Sequence, residues 1–385
     1  MPALPSVTIE CETVTPLFLG GADPRGTPEL RAPSLRGALR YWFRALAGFP
    51  IKRLQQEEAH VFGNQQQASP LRVTVSAATS PPIKTWQPGQ WPPGSGGGGP
   101  GQVNGLAYLG FAFRREKDNP ARRAIDAGWP FQITLTAKTA EVLAKASAAF
   151  WALCYFGGLG SRTRRGFGGL RVLRASGDMP AALPALALPA RTPEELATYL
   201  ADGLRAAQAL IGASPGGGAV AYTTLRAASA SACVLGHVWP TWHDVLYDVG
   251  QLLAAHRQGL ALSLAQLREV LGQRGAQPSQ AYPRAGFGLP IVYYDLRTGL
   301  NATLEATTLS RRASPLWIRP IRLASNHYAV LLWLSSAPFW PDKTQLKARV
   351  GQQTLVLQGE VPLGGVQQFI DACRARWAHY EVALP

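Results

Sequence analysis

The chain has 385 residues, 46% hydrophobic and only 16% charged, yet its formal net charge is +15. That length suits two domains with packed cores and excludes a disordered or fibrous chain. Of the 38 basic residues 31 are arginines, an excess that points to a polyanionic partner, because guanidinium forks pair with phosphate and stack on bases.

Val7–Val14 alternates and is rich in β-branched residues, which predicts a strand. A turn-rich stretch from Pro16 to Pro33 follows, in which Asp23 reads as a turn carboxylate. Ser34 is the expected N-cap of a helix running to Ala47. On a helical wheel Leu35, Leu39, Trp42 and Leu46 share one face, and Arg36, Arg40 and Arg44 form a stripe beside it. Leu71–Ser76 predicts a second strand, and the Pro-, Gly- and Trp-rich stretch at 78–105 an insertion. Phe131–Thr136 is a third strand, Thr139–Phe156 an Ala-rich helix and Leu170–Arg174 a fourth strand. The order strand, helix, strand, strand, helix, strand is the split βαβ pattern of a ferredoxin-like or RRM-like domain.

Residues 177–193, rich in Pro, Ala and Leu, are expected to link this first domain (1–176) to a second (194–385). The second half shows helical patterns at Pro193–Ile211, Thr241–Arg257 and Leu363–Trp377. Its expected strands are Ala230–Val238, Leu289–Tyr294, Trp317–Leu323 and Tyr328–Ser335. The expected fold class is therefore α+β, with two tandem ferredoxin-like (RRM-like) domains carrying insertions.

The most informative segment is the glycine- and arginine-rich run Gly157–Gly169, which includes Gly157, Gly158, Gly160, Ser161, Arg162, Arg164, Arg165 and Phe167. It lacks the Gly-x-x-x-x-Gly-Lys-Ser/Thr pattern of a P-loop, and it follows a helix, whereas a Rossmann turn follows a strand. A backbone cradle for a phosphodiester fits it, with arginines on phosphates and Phe167 either stacking or packing. The plain alternative is a connector with solvated arginines. Arg311 and Arg312 form a further basic turn ahead of a strand, equally readable as an ordinary β-turn.

Cys11, Cys154, Cys233 and Cys373 are far apart, so neither a zinc site nor a disulfide framework is expected. His243-Asp244 is the only adjacent His-Asp pair, and it lies where a helix begins and an Asp is ordinary. No apolar run approaches the roughly 20 residues that cross a bilayer, and the start of the chain does not read as a leader, so a cytoplasmic protein is expected. No cofactor or metal is expected.

Thr15–Asp23 followed by Leu30–Trp42 resembles the N-terminal signature of RAMP proteins, and more narrowly of the first-subunit family of type III-B CRISPR Cmr complexes. Gly157–Gly169 resembles the RAMP glycine-rich loop, and Phe287–Ile291 with Arg311–Leu316 resembles that family's C-terminal part. The resemblance implies a non-catalytic RNA-binding subunit at the crRNA 3′ region that helps capture target single-stranded RNA beside other Cmr subunits. It implies RNA contacts at Arg31, Ser34, Arg36 and Arg40 on the helix side and at the Gly157–Gly169 loop, and the arginine stripe adds Arg44 as a candidate. The alternative is a RAMP endoribonuclease processing precursor crRNA. Such chemistry commonly uses a histidine near these motifs, and the first domain has only His60, outside both. A nucleotide-binding regulator is disfavoured by the missing P-loop lysine.

Overall fold

The computed structural model describes residues 3–21, 23, 25–87, 103–115, 120–213, 220–260, 282–294, 301–338, 344–350, 352–357 and 361–385. Most of the insertion expected at 78–105 lies outside these residues. The strands are β1 (Ser6–Thr13), β2 (Leu71–Ser76), β3 (Ile83–Thr85), β4 (Arg123–Ile125), β5 (Pro130–Ala137), β6 (Leu170–Gly177), β7 (Ala230–Leu235), β8 (Ile291–Tyr294), β9 (Asn301–Ala306), β10 (Leu316–Arg322), β11 (Tyr328–Ser335), β12 (Leu346–Val350), β13 (Gln353–Leu357) and β14 (His379–Glu381). The helices are α1 (Ala32–Ala47), α2 (Ile51–Phe62), α3 (Gly105–Leu109), α4 (Ala140–Tyr155), α5 (Pro193–Ile211), α6 (Trp242–Gly259) and α7 (Gly364–Trp377). The chain is α+β, and its sheets are built largely of antiparallel pairs.

Two compact units emerge. The first comprises residues 1–251, 317–337 and 377–385, and the second 252–316 and 338–376. They are drawn differently from the 1–176 and 194–385 expected from composition. Residues 177–193 lie within the first unit, where Leu183, Leu186 and Leu188 join its core. Two tyrosine hydroxyls hold this stretch, Tyr155 donating to the Leu186 carbonyl at 2.5 Å and Tyr199 to that of Ala185 at 2.9 Å. Pro and Ala enrichment thus marks an irregular but packed segment.

In the first unit one four-stranded sheet runs in the order β2-β5-β1-β6. Period-two alternation buries Val7, Ile9 and Cys11 of β1 and Phe131, Ile133 and Leu135 of β5 on one face. That face meets Leu35, Leu39, Trp42 and Phe43 of α1 in a continuous core. Helix α4 is buried on nearly every side, as its Ala-rich sequence allows, and packs between α1 and α5. A second sheet, β10-β11-β7-β14, contributes Trp317, Trp333 and Val234 to the same core. The second unit holds the sheet β13-β12-β9-β8, whose Ile291, Leu304, Leu346 and Leu357 form a separate cluster.

One local expectation is corrected, and one element is new. The first helix begins at Ala32, its N-cap is Arg31, and no side chain caps it. Ser34 lies inside the first turn because Pro33, with its φ already helical, starts the helix earlier. Helix α2 has no counterpart in the sequence reading, and it determines the fate of the arginine stripe.

Candidate nucleic-acid interface

The glycine loop follows α4 and is built against the N-terminal signature segment. Ser161 N–H donates to the Phe18 carbonyl at 2.9 Å, Gly168 N–H to Pro16 at 3.0 Å, and Gly169 N–H to Thr15 Oγ1 at 2.8 Å. Across the loop Leu159 N–H donates to the Gly168 carbonyl at 2.9 Å. The two motifs, about 140 residues apart in sequence, therefore form one backbone-bonded unit.

The glycines are there for close approach. A Cβ on Gly157 would lie 2.3 Å from the Trp42 ring, and one on Gly168, at φ 71°, 1.9 Å from the Leu159 carbonyl oxygen. With Ser161, Gly168 and Gly169 amides already bonded internally, the loop is a rigid mount more than an open ring of free donors. Phe167 is wholly buried, packed edge-on against Phe18, Trp86 and Phe113 at 5.3–5.6 Å. The base-stacking alternative for Phe167 is thereby corrected, since a ring without exposed surface has no face to offer.

What the mount displays is the turn Ser161–Arg165, partly exposed throughout. Arg162 has a left-handed backbone, φ 58°, and its Nη1 donates to the Leu109 carbonyl at 3.1 Å. Arg164 donates to the Tyr41 hydroxyl at 3.4 Å and lies 4.7 Å from the Trp317 ring centroid. Arg165 forms a parallel bridge with Ile318. Behind the loop lies Arg319, which sequence reasoning missed. It is 1% exposed, donates to the Cys154 carbonyl at 2.9 Å, and its Nε and Nη1 have no hydrogen-bond partner among the described residues. Burial pushes its pKa down to about 10, still protonated at neutral pH, so it adds fixed positive charge under the glycines. The signal was an arginine inside the otherwise apolar run Leu316–Ile321.

The α1 stripe has a different fate. Arg40 donates to Glu58 Oε1 at 2.8 Å and to the Phe62 and Gly63 carbonyls at 2.9 and 2.7 Å. Arg44 also pairs with both oxygens of Glu58. Burial alone would raise the Glu58 carboxyl, but hydrogen bonds from Arg44 and Arg40 hold it below its ordinary value. These two arginines are thus engaged by α2. Arg36, partly exposed, has no hydrogen bond or ion pair among the described residues. Arg31 lies 3.7 Å from Glu29, and Ser34 is partly exposed. Arg311 and Arg312 belong to the second unit. There Arg312 bridges Leu289 through its backbone and donates to the Pro338 carbonyl at 3.2 Å, while Arg311 is exposed.

The outward face of the first sheet carries Thr8, Glu10 and Glu12 of β1 with Gln132, Thr134 and Thr136 of β5. It has no aromatic side chain on these central strands, so the stacking platform of an RRM is absent there. Asp23 takes the turn role, accepting from Arg25 N–H at 2.9 Å. Burial pushes His243 down to about 4, and its ring stacks on Trp242 at 3.6 Å. Among the described residues no cluster of three or more His, Cys, Asp or Glu could hold a metal, and no helix is long and apolar enough to cross a membrane.

The RAMP superfamily model matches residues 10–171, which takes in the second half of β1, all of α1 and the glycine loop. The Pyrococcus furiosus CRISPR system Cmr subunit Cmr1-2 is 32% identical over 182 residues, 42% of this chain and 92% of that protein. The chain belongs to the Cmr1 family of the RAMP superfamily. Cmr1-1 of the same organism is 26% identical over 344 residues, covering 86% of this chain and 88% of that one. The crystal structure of apo Cmr1 from Pyrococcus furiosus shares the fold, with a TM-score of 0.64 at 22% identity over 98% of both chains. A chain of the type III-B Cmr-beta complex bound to cognate target RNA superposes with a TM-score of 0.57 at 11% identity, over 97% of this chain and 99% of that one.

Proposed function

We propose that this chain is a non-catalytic RNA-binding subunit of a cytoplasmic type III-B Cmr ribonucleoprotein, placed at the crRNA 3′ region and helping capture target single-stranded RNA beside other Cmr subunits. Membership of the Cmr1 family supports the assembly. The observation that carries the RNA contact is the Ser161–Arg165 turn. It holds three arginines on a backbone-bonded mount, with a fourth guanidinium, Arg319, buried behind. Such fixed cations lose little entropy on binding phosphate. Arg36 and Arg31 extend the positive field from α1. Arg311 and Arg312 are a separate contact in the second unit.

In fold terms we read the chain as two tandem ferredoxin-like modules. The sheets β2-β5-β1-β6 and β10-β11-β7-β14 have the same order once their strands are counted from one to four in each. Each is supplied by strand, helix, strand, strand, helix, strand, with β8, β9, β12 and β13 as insertions in the second.

The test is fluorescence anisotropy with single-stranded RNA across a salt series, using the full chain and the triple variant Arg162→Ala, Arg164→Ala, Arg165→Ala. Affinity is expected to fall about a hundredfold. The log–log salt slope is expected to shrink by about 2, since each phosphate contact on a single strand contributes roughly 0.7. Unchanged affinity and slope would overturn the assignment.

A further inference from the structure

The segment Val103–Arg115 belongs to none of the motifs above, yet it abuts the glycine loop. Arg162 Nη1 donates to the Leu109 carbonyl at the end of α3. Phe113 stacks on Phe18 at 3.6 Å and meets Phe167 edge-on at 5.3 Å. The segment therefore shares the loop's aromatic base. Its backbone is tied further, with Arg122 N–H donating to the Phe113 carbonyl and Trp86 N–H to the Arg122 carbonyl, both at 2.8 Å.

On this base the 3-10 turn Phe111–Phe113 points its two aromatic rings differently. Phe113 is 2% exposed, whereas Phe111 is 49% exposed although the Arg114 guanidinium lies 3.7 Å from its ring centroid. Arg114 and Arg115 are exposed and line a cleft of about 600 Å³ together with Thr85, Trp86 and Gln87. Among the described residues the lining includes no carboxylate. In sequence, residues 114–123 hold five basic side chains against two acidic ones. A half-exposed aromatic ring paired with a planar guanidinium offers stacking surface, and the neighbouring arginine offers charge. Together these recognise an unpaired base and its phosphate, whatever the sequence.

We propose that the Phe111–Arg115 turn is a second RNA contact, continuous with the glycine loop. Phe111 and Arg114 hold one unpaired nucleobase, and Arg115 pairs with an adjacent phosphate. This rests on the RNA-binding reading of the loop. It commits to a single strand because a paired base has no free face to stack.

The experiment compares binding of the full chain to single-stranded RNA and to an RNA of equal length with abasic ribose at every position. Phe111→Ala should weaken binding of the base-bearing RNA about tenfold and leave the abasic RNA unchanged, with Phe111→Trp restoring the wild-type value. Arg115→Ala should lower the salt slope by about 0.7 for both RNAs. Phe111 is exposed, so its truncation leaves the fold intact, which circular-dichroism melting checks. If Phe111→Ala binds base-bearing RNA as wild type does while the triple loop variant is weakened, this site is overturned and the loop stands. If the triple variant is also unaffected, the RNA reading itself falls. Loss of co-purifying Cmr subunits from Phe111→Ala with RNA affinity intact would make this surface a protein contact and also overturn the proposal.

Discussion

The glycine loop and the α1 arginine stripe present the same elements to a sequence reader: three arginines each, in the same half of the chain. The structure treats them oppositely. In the loop the backbone amides are consumed by Phe18, Pro16 and Thr15, while the arginines stand on the partly exposed turn above. On α1 the side chains are consumed, two of three committed to Glu58 and the end of α2. Arg162 and Arg164 are bonded to a carbonyl and a hydroxyl, whereas Arg40 and Arg44 share the Glu58 carboxylate, and the residue count does not contain that difference.

The sharpest way to break this contrast is at the loop's mount. Gly168→Ala places a Cβ 1.9 Å from the Leu159 carbonyl at a φ of 71°. It should cost about 3–4 kcal/mol, from left-handed strain plus overpacking, read by chemical denaturation. Next in size is the triple arginine variant of the turn, a loss of affinity of about 2.7 kcal/mol with a smaller loss of stability from the bonds to Leu109 and Tyr41.

Glu58→Gln probes the other side. It should cost about 2 kcal/mol of stability at neutral pH, because two guanidinium groups lose the carboxylate's charge and one of its two acceptor oxygens. The Glu58 carboxyl is held below its ordinary value in the folded state, so its contribution is complete above the unfolded pKa of roughly 4.3 and is lost as pH falls through the folded value. The stability gap between wild type and Glu58→Gln should therefore close as the pH drops below about 4. The smallest effect is Arg162→Gly. It relieves a left-handed backbone and should raise stability by about 0.5–1 kcal/mol while weakening RNA binding. A gain in stability without loss of affinity would remove Arg162 from the interface.

The first sheet was readable because β1, β2, β5 and α4 carry clean periodicities and α4 is followed at once by glycines. The unread element, α2, has weak start signals. Its first turn has no acidic residue and carries Lys52 and Arg53, the wrong sign for a helix N-terminus, and its N-cap is Pro50 without a side-chain bond. Its meaning lies in Glu58, whose partners on α1 are 14 and 18 residues earlier. Arg319 escaped for a related reason. It sits in a strand whose apolar pattern assigns it to the core, and only the fold brings that core under the loop. Charge at a site was legible, whereas the groups that neutralise or reinforce it from elsewhere in the chain were not.

The most direct test sets two variants side by side in one salt-dependent RNA-binding series with parallel thermal melts: Arg162→Ala, Arg164→Ala, Arg165→Ala against Arg40→Ala, Arg44→Ala. The loop triple should lose affinity and salt slope with a smaller drop in melting temperature than the helix double, which melts earliest and binds RNA as wild type does. The opposite pattern, with affinity lost in the double and retained in the triple, would contradict the loop's role.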